Sequence, residues 1–494
     1  MNNFLVYPLL IPLFTAVLLI FFKERIAVQR GISAISALLN LAVACFLVYQ
    51  VSSDGIQTLH MGGWIPPYGI VFTADMFAAL LVLITAVVAA GCLFYAFGSI
   101  GEERERNYFY PFFYFLLAGV TGSFLTGDLF NLFVCFEVML IASYALIVLG
   151  GTKRQLRETL KYILINIISS TLFVASVAYL YAAVGTLNMA HLSVRVAEVG
   201  QGGILTVIAI LFLIVFSLKA GLFLFFWLPG SYSAPPAAVT ALFGALLTKV
   251  GLYAIIRTFT LIFYHEPDAT HTWISWMAAA TMILGGLGAV AYNDIRRILN
   301  YNVVVSVGFI AFGLAAATRD SLDGVVFYLM HDMIAKALMY FLGGMVIAAA
   351  GTHRLQEMGG MIKRHPWMGW MFFVMALSLV GVPPLSGFIG KVLIVRGGLD
   401  AQMYLLASLG LASSLIVLYS MMKVFMQAFW GEEKLNPERP SVNLRGMAGA
   451  AMGMFILMIL LGLGSEWVYS FVSQAGNGLF RPELYIEAVL KGVG

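Results

Sequence analysis

Apolar runs long enough to cross a bilayer as helices, about 20 residues each, recur from one end of the chain to the other. They fall at about 4–22, 30–51, 71–98, 109–126, 129–149, 160–186, 204–228, 237–262, 272–292, 299–317, 325–350, 368–395, 403–430 and 447–472. Polar residues gather in the short gaps between them. In lipid every backbone polar group must be satisfied within the protein, which helices do segment by segment. The pattern therefore predicts an all-α polytopic membrane protein of about 14 transmembrane helices. Two runs are interrupted. The seventh breaks at Leu228-Pro229-Gly230 and again at Ala234-Pro235-Pro236, and the twelfth at Gly381-Val382-Pro383-Pro384-Leu385-Ser386-Gly387. Proline removes a backbone donor and clashes with the preceding turn, so each break frees backbone groups that must face protein or water. A lysine follows each Pro-Pro break: Lys249 after the first, Lys391 after the second.

Broken helices at corresponding places in two halves are the sequence sign of repeat-built transporters. The five runs over 109–262 pair with the five over 272–430. An odd number of spans per repeat makes the two repeats inverted. The chain then divides into an N-terminal three-helix segment (1–108), the two repeats, and a final helix with a C-terminal tail (431–494).

Composition agrees with the bilayer reading. Of 494 residues, 61% are hydrophobic and 11% charged, where a soluble domain carries about 25% charged residues. Soluble domains of this composition would have almost no polar surface, and the gaps are too short to house an extramembrane catalytic domain. The first charge, Lys23, follows the first apolar run, so that run is expected to be a retained helix rather than a signal peptide. Cys45, Cys92 and Cys135 have no metal-ligand spacing and are expected to be small buried hydrophobes. No haem, flavin, iron–sulfur, zinc or nucleotide motif is present. Glycines such as Gly285, Gly286 and Gly288 have the setting of helix-packing surfaces.

The 28 Lys and Arg residues sort by side. One side holds 17: Lys23, Arg25 and Arg30, Arg104 and Arg106, the group Lys153 to Lys161, Arg296 and Arg297, Arg354 to Arg364, and Lys434, Arg439 and Arg445. The other holds six: Arg195, Arg257, Arg319, Arg396, Arg481 and Lys491. The richer side is expected to be cytoplasmic, with both termini outside. Five lysines lie in no gap: Lys219, Lys249, Lys336, Lys391 and Lys423. Insertion scales put a central lysine at roughly 2.5–3.5 kcal/mol, so each needs a partner or a use. Lys423 is near a helix end and is expected to snorkel.

The remaining membrane-embedded polar residues have the chemistry of proton transfer. Glu137 lies mid-helix after Asp128-Leu129-Phe130-Asn131, where it could serve as a relay carboxylate or as half of a structural ion pair. Lys219 lies one to two turns before the first break. A lysine whose carboxylate partner can approach and recede is a proton switch. Lys249 begins a polar stripe with Tyr253 and Arg257 at helical spacing. Asp332 and Lys336 are four residues apart and could simply pair. His331 lies on another face and titrates near neutrality. Lys391 is the counterpart of Lys249 in the other half.

Taken together, these residues carry a resemblance. Gly127-Asp128-Leu129-Phe130-Asn131 leading to Phe136-Glu137-Val138-Met139, Trp227-Leu228-Pro229 with Ala234-Pro235-Pro236-Ala237, Lys249-Val250-Gly251-Leu252-Tyr253, Asp294-Ile295-Arg296-Arg297, His331 with Ala335-Lys336-Ala337-Leu338, and Gly381-Val382-Pro383-Pro384 with Gly387-Phe388-Ile389-Gly390-Lys391 resemble the antiporter-like family. That family is shared by Mrp-type multisubunit cation/proton antiporters and the pumping subunits of respiratory complex I. The resemblance covers nearly the whole chain, and within the family the chain looks like a D-type Mrp subunit. Leu299-Asn300-Tyr301-Asn302-Val303 departs from the family, which is serine-rich there.

The resemblance implies Glu137 and Lys219 as a charge pair, and Lys249, His331 and Lys391 as a hydrated chain across the membrane middle; Lys336, Asp332 and Tyr253, read from helical spacing, stand as secondary candidates. It implies partner subunits of the A, B, C, E, F and G types in a bacterial cell membrane, H+ and Na+ as transported ions, and neither cofactor nor metal. Few oxygen ligands lie near Glu137, which favours protons, because sodium wants several carboxylates or carbonyls. Two other classes stand beside this expectation: a pumping subunit of a redox complex, and a membrane enzyme acting on a lipid-linked substrate. Neighbouring genes would separate the first of these from an Mrp subunit.

Overall fold

The computed structural model describes residues 2–432 and 444–491. Lys434 and Arg439, counted above on the richer side, lie outside the described residues. In chain order the principal elements are α1 (Tyr7–Ile20), α2 (Ile26–Asp54), β1 (Gln57–His60), β2 (Val71–Ala74), α3 (Met76–Ser99), α4 (Phe109–Leu125), α5 (Leu129–Val148), α6 (Lys153–Val184), α7 (Met189–Val199) and α8 (Ile204–Ala220). After a break come α9 (Ala237–Ile262), α10 (Pro267–Ala291), α11 (Ile295–Ala316), α12 (Arg319–Ala350), α13 (Pro366–Val380), α14 (Ser386–Asp400), α15 (Tyr404–Ala428), α16 (Arg445–Leu463), α17 (Ser465–Phe480) and α18 (Pro482–Leu490).

Eleven described helices are long and apolar enough to cross a membrane, and α4, α8 and α13 are shorter apolar helices. The molecule is a helical membrane protein with one exception to the all-α expectation. Residues 71–74, placed at the head of the third run, form β2 and pair antiparallel with β1, Gln57 facing Ala74 and His60 facing Val71. Val71-Phe72-Thr73 has strand propensity, and the following Asp75 starts a helix instead, its carboxylate accepting the Ala78 N–H at 2.9 Å as an N-cap does.

Three further boundaries differ from the sequence reading. The seventh run stops at Ala220, where Gly221 takes a left-handed conformation (φ 74°), so the first break opens before Leu228-Pro229 is reached. The last run, 447–472, is divided at Gly464 into α16 and α17. α6 begins at Lys153, so the basic residues assigned to that gap occupy its first turns, where Thr152 and Gln155 form a capping box. Cys45 is exposed, whereas Cys92 and Cys135 are buried as expected. On α2, flanked by the exposed Phe46 and Tyr49, Cys45 lies on the outward apolar surface of the bundle.

α12 is the central post. It packs against α3, α9, α11, α13, α14, α16 and α17 and is buried over almost its whole length. That enclosure is why it can carry an aspartate, a histidine and a lysine away from lipid. Small residues set the close approaches. A Cβ on Gly285 would lie 2.9 Å from Val304 Cγ1, and one on Gly308 would lie 3.0 Å from the Ala278 carbonyl oxygen, so α10 and α11 meet backbone to backbone. At the site itself, a Cβ on Gly251 would lie 2.5 Å from the Ala220 amide nitrogen. This glycine lets α9 cross the end of α8 one residue from Lys219.

Candidate functional site: a file of buried lysines

The first break places Lys219. α8 ends in a glycine cap in which Gly221 N–H and Leu222 N–H both donate to the Ser217 carbonyl, at 2.9 and 3.0 Å. The indole of Trp227 donates to the Leu218 carbonyl at 3.0 Å, and Phe223 N–H donates to Thr281 Oγ1 on α10 at 2.7 Å. Lys219 therefore sits in the last turn of a short helix, the end whose carbonyls favour a cation. Its ammonium donates to Ser170 Oγ on α6 at 3.3 Å and lies 5.3 Å above the Phe136 ring. Ser170 Oγ in turn makes a very short hydrogen bond to Glu137 Oε1 on α5. Glu137 and Lys219 thus share Ser170 as a go-between, with no direct ion pair between them among the described residues. The sequence reading had no place for Ser170. Its only signal is Ser169-Ser170 interrupting an apolar helix face.

Lys249 and Lys336 converge on one carboxylate. Lys249 Nζ lies 2.6 Å from Asp332 Oδ2 and donates to the Gly244 carbonyl at 2.9 Å. Gly244 belongs to a π-helical turn, Phe243–Leu247, inside α9, and such turns loosen the regular hydrogen-bond ladder. Lys336 Nζ lies 3.6 Å from Asp332 Oδ1 and donates to the Asn302 carbonyl on α11 at 2.9 Å. The three side chains are at most 1% exposed. The i, i+4 pairing of Asp332 with Lys336 is present, but the tighter contact crosses from α12 to α9. Periodicity within one helix cannot reveal such a contact.

His331, one residue away on α12, faces elsewhere, as expected. Its Nδ1 is 2.8 Å from Ser386 Oγ at the start of α14, and Ser386 Oγ is 3.3 Å from Ser378 Oγ on α13. His331 Nε2 is buried without a hydrogen-bond partner and points at the second break, where a Cβ on Gly387 would lie 2.9 Å from it. Lys391 reaches back across the same break. Its ammonium donates to the carbonyl of Val380, the last residue of α13, at 2.9 Å and to Ser414 Oγ on α15 at 2.8 Å. The rings of Phe309 and Tyr328 lie 5.3 and 5.9 Å away. Lys391 has no carboxylate partner among the described residues.

Two expectations change. Arg257, placed in a gap on the less basic side, is a helical residue of α9 and only 2% exposed. It makes a two-pronged ion pair with Asp75, Nη1 to Oδ2 at 2.7 Å and Nη2 to Oδ1 at 2.8 Å, and is ringed by Phe77, Tyr253 and Tyr485. Tyr253 donates its hydroxyl to the Phe124 carbonyl at 2.8 Å and accepts from Arg257 Nε at 3.3 Å. The stripe Lys249-Tyr253-Arg257 exists, but its outer part is a closed structural cluster. Lys423 does not simply snorkel. It donates to the carbonyls of Val290 and Tyr292, at 3.1 and 2.9 Å, and so caps the end of α10.

The buried groups thus form a discontinuous file of three clusters, Glu137–Ser170–Lys219, Lys249–Asp332–Lys336, and His331–Ser386 with Lys391, with no hydrogen bond or ion pair between one cluster and the next among the described residues. A recess of ≈ 390 Å³ is lined among others by Ser233, Tyr232, Asn300 and Tyr340. Tyr340 Oη donates to Asn300 Oδ1 at 2.7 Å, and Asn300 Nδ2 donates to Ser233 Oγ at 2.8 Å. The departure at Asn300 thus supplies a buried polar contact.

Comparison with known proteins gives a consistent picture. Residues 126–417 match the family described as NADH:quinone oxidoreductase/Mrp antiporter, TM. The chain is 54% identical over 492 residues to the D subunit of the Na(+)/H(+) antiporter of Bacillus subtilis, covering 99% of this chain and all of that one. It is 49% identical over the same length to the corresponding D subunit of Alkalihalophilus pseudofirmus, again covering 99% of this chain and all of that one. Among solved structures, a chain of the Mrp complex from a Dietzia species superposes with a TM-score of 0.91 at 29% identity, covering 99% of this chain and all of that one. A chain of the membrane-bound sulfane sulfur reductase, an archaeal respiratory membrane complex, superposes with a TM-score of 0.92 at 27% identity over the same share. The matched segment spans both breaks, and the chain belongs to the NADH:quinone oxidoreductase/Mrp antiporter family of membrane proteins.

Proposed function

We propose that the chain is the ion-translocating, proton-conducting subunit of a multisubunit monovalent cation/proton antiporter. It would work with A-, B-, C-, E-, F- and G-type membrane subunits to export Na+ in exchange for H+ in a bacterial cell membrane. In this role it is a part of a secondary transporter rather than an enzyme. The observation that carries the reading is Asp332 held between Lys249 and Lys336 at 2.6 and 3.6 Å with almost no exposure. One carboxylate serving two ammonium groups on different helices is a two-position switch. A proton arriving on one lysine biases the aspartate away from the other. Glu137 and Lys219, joined through Ser170, supply a second acid–base element with a single lysine. His331 and Lys391 continue the file to the second break.

The relatedness to named components of Na(+)/H(+) antiporters supports sodium as the counter-ion. We further propose that the eleven long helices and three shorter ones make 14 spans. These would be arranged as two inverted five-helix repeats over 109–262 and 272–430, flanked by the segments 1–108 and 431–494. The basic face would be cytoplasmic and both termini outside. The test is exchange in everted vesicles carrying the assembled complex. Glu137→Ala and Lys219→Ala are each expected to abolish Na+-driven proton movement without loss of assembly on native gels. Normal exchange in either variant would sink the assignment.

A second reading is favoured by the likeness to a chain of an archaeal respiratory complex: a proton-pumping membrane component powered by electrons from another arm. Neighbouring genes distinguish the two. Six small membrane-protein genes support the antiporter, and quinone-oxidoreductase genes support the pump.

A further inference from the structure

Outside the buried file, two adjoining cavities of ≈ 810 and ≈ 480 Å³ open at the basic face. They share Arg157, Glu158, Pro229, Gly230, Tyr292 and Arg297 in their walls. Lys153 and Arg154 line the larger one. Two long helices begin here, α6 at Lys153 and α11 at Ile295. Helix N-termini carry partial positive charge and are stabilised by acids in the first turn. Neither first turn holds an acid; Lys153 and Arg154 occupy one, Arg296 and Arg297 the other. The acids nearby are already engaged. Glu158 pairs with Arg157 at 3.0 Å and Lys161 at 3.3 Å. Asp294 caps α11 and lies 3.0 Å from His353 Nδ1. Lys153, Arg154 and Arg297 are left with no ion pair among the described residues, and Arg297 lies 4.6 Å over the Tyr292 ring. The N-terminus of α6, with no acid in its first turn, and three unpaired cations thus meet in one recess, which calls for an anion.

The smaller cavity shows what the anion is attached to. Besides Lys161, which pairs with Glu158, its remaining wall is apolar or aromatic, with Leu164, Ile165, Phe226, Trp227 and Tyr301. It continues onto the outward face of α6, where Leu160, Leu164, Ile167 and Ile168 are all more than half exposed. A free phosphate would use only the cationic end. We propose that this recess seats an anionic phospholipid, with the phosphate headgroup among Arg154, Arg297 and the N-terminus of α6 and an acyl chain along α6. Pro229 and Gly230 of the first break stand in its wall, but none of Lys219, Lys249, Lys336 and Lys391 does, so lipid retention is read separately from exchange.

The experiment uses the full-length chain, purified and delipidated in detergent, then offered an equimolar mixture of phosphatidylglycerol and phosphatidylcholine and read by native mass spectrometry. The wild-type chain is expected to retain phosphatidylglycerol in preference. Arg154→Gln with Arg297→Gln should lower its affinity about 30-fold, because two basic side chains near a membrane surface are removed, and leave phosphatidylcholine unchanged. Glu158→Gln removes a buried acid from the wall, leaves Arg157 and Lys161 without it, and should tighten phosphatidylglycerol binding, which guards against misfolding as the cause of loss. Arg25→Gln, an exposed change elsewhere on the basic face, should have no effect. Equal retention by the double variant would overturn the proposal. So would retention of glycerol phosphate as tight as that of the lipid, which would indicate an anion site only. Loss of the lipid when partner subunits are co-expressed would instead assign the recess to an acidic protein segment.

Discussion

Replacing Asp332 by asparagine removes the one carboxylate that Lys249 and Lys336 share. At an effective dielectric constant of about 20, unit charges at the observed separations of 2.6 and 3.6 Å attract by about 6 and about 5 kcal/mol. Desolvating three charges takes back much of that sum. What decides the outcome is the state left behind: two ammonium groups with almost no exposure and no counter-charge. Breaking a buried pair by removing one partner destabilises by about 3–5 kcal/mol, and here one removal strands two partners. The Gly244 and Asn302 carbonyls that hold the ammonium groups would remain, so the lysines keep hydrogen bonds and lose only charge balance. Asp332→Asn is therefore expected to insert and assemble, to melt at lower temperature than the parent complex, and to lose exchange. Native gels, thermal melts of the purified complex and Na+-driven proton movement in everted vesicles read the three effects. Lys249→Met combined with Asp332→Asn removes a charge of each sign and leaves Lys336 alone. The double variant should melt above the sum of the single effects, because the two residues interact directly. Wild-type exchange in Asp332→Asn, or strictly additive melting shifts in the cycle, would refute the two-position switch.

Ser170→Ala takes away the hydroxyl between Glu137 and Lys219 and should lower exchange at least several-fold while Ser170→Thr, which keeps the hydroxyl, retains more. Arg257→Gln should act on stability rather than on transport chemistry, lowering the melting temperature by stranding the buried Asp75, by about 3–5 kcal/mol; normal melting would show that the pair is not structural. Gly251→Val should displace the end of α8, because even a Cβ would press on the Ala220 backbone, and lose exchange with Lys219 intact. Lys391→Arg should assemble but transport poorly, since a guanidinium does not release its proton; wild-type rates would show that the proposed relay does not run through Lys391.

Much of this was legible in the sequence because the bilayer makes polar residues conspicuous. A lysine among twenty apolar residues needs no alignment to be noticed, and Lys219, Lys249, Lys336 and Lys391 all proved buried. The breaks were legible through proline, but only in part. Gly221 ends α8 by adopting a left-handed conformation, and a single glycine in an apolar run carries no mark of that. Partners were least legible. Asp332 was paired by helical spacing with Lys336, whereas its shorter contact is to Lys249, 83 positions away in a different helix. Arg257 looked like a gap residue because it stands at the end of an apolar run. Its partner Asp75 lies in a different run, 71–98, and no periodicity joins them. Ser170, Ser386 and Ser414 carried no mark of their partners: a serine in a membrane helix usually bonds its own backbone, and only the neighbouring helix reveals the exceptions.

The contrast between Lys249 and Lys391 bears on where a proton would leave the file. Lys249 is held by a carboxylate, so its neutralisation would strand Asp332 unless Lys336 closed in. Lys391 is held by a backbone carbonyl at 2.9 Å and a hydroxyl at 2.8 Å. A neutral amine still has two N–H donors, one for each of these acceptors, so Lys391 can give up its proton with its hydrogen bonds intact and no carboxylate stranded. The carbonyl it uses belongs to Val380 at the C-terminal end of α13, where helix carbonyls lack intrahelical partners and the dipole favours a cation. That end exists only because Gly381 and the prolines after it stop the helix. The second break therefore supplies both the acceptor that steadies the charged lysine and the open backbone that water can reach. In the proposed relay, release belongs at Lys391 and storage at Asp332 with its two lysines.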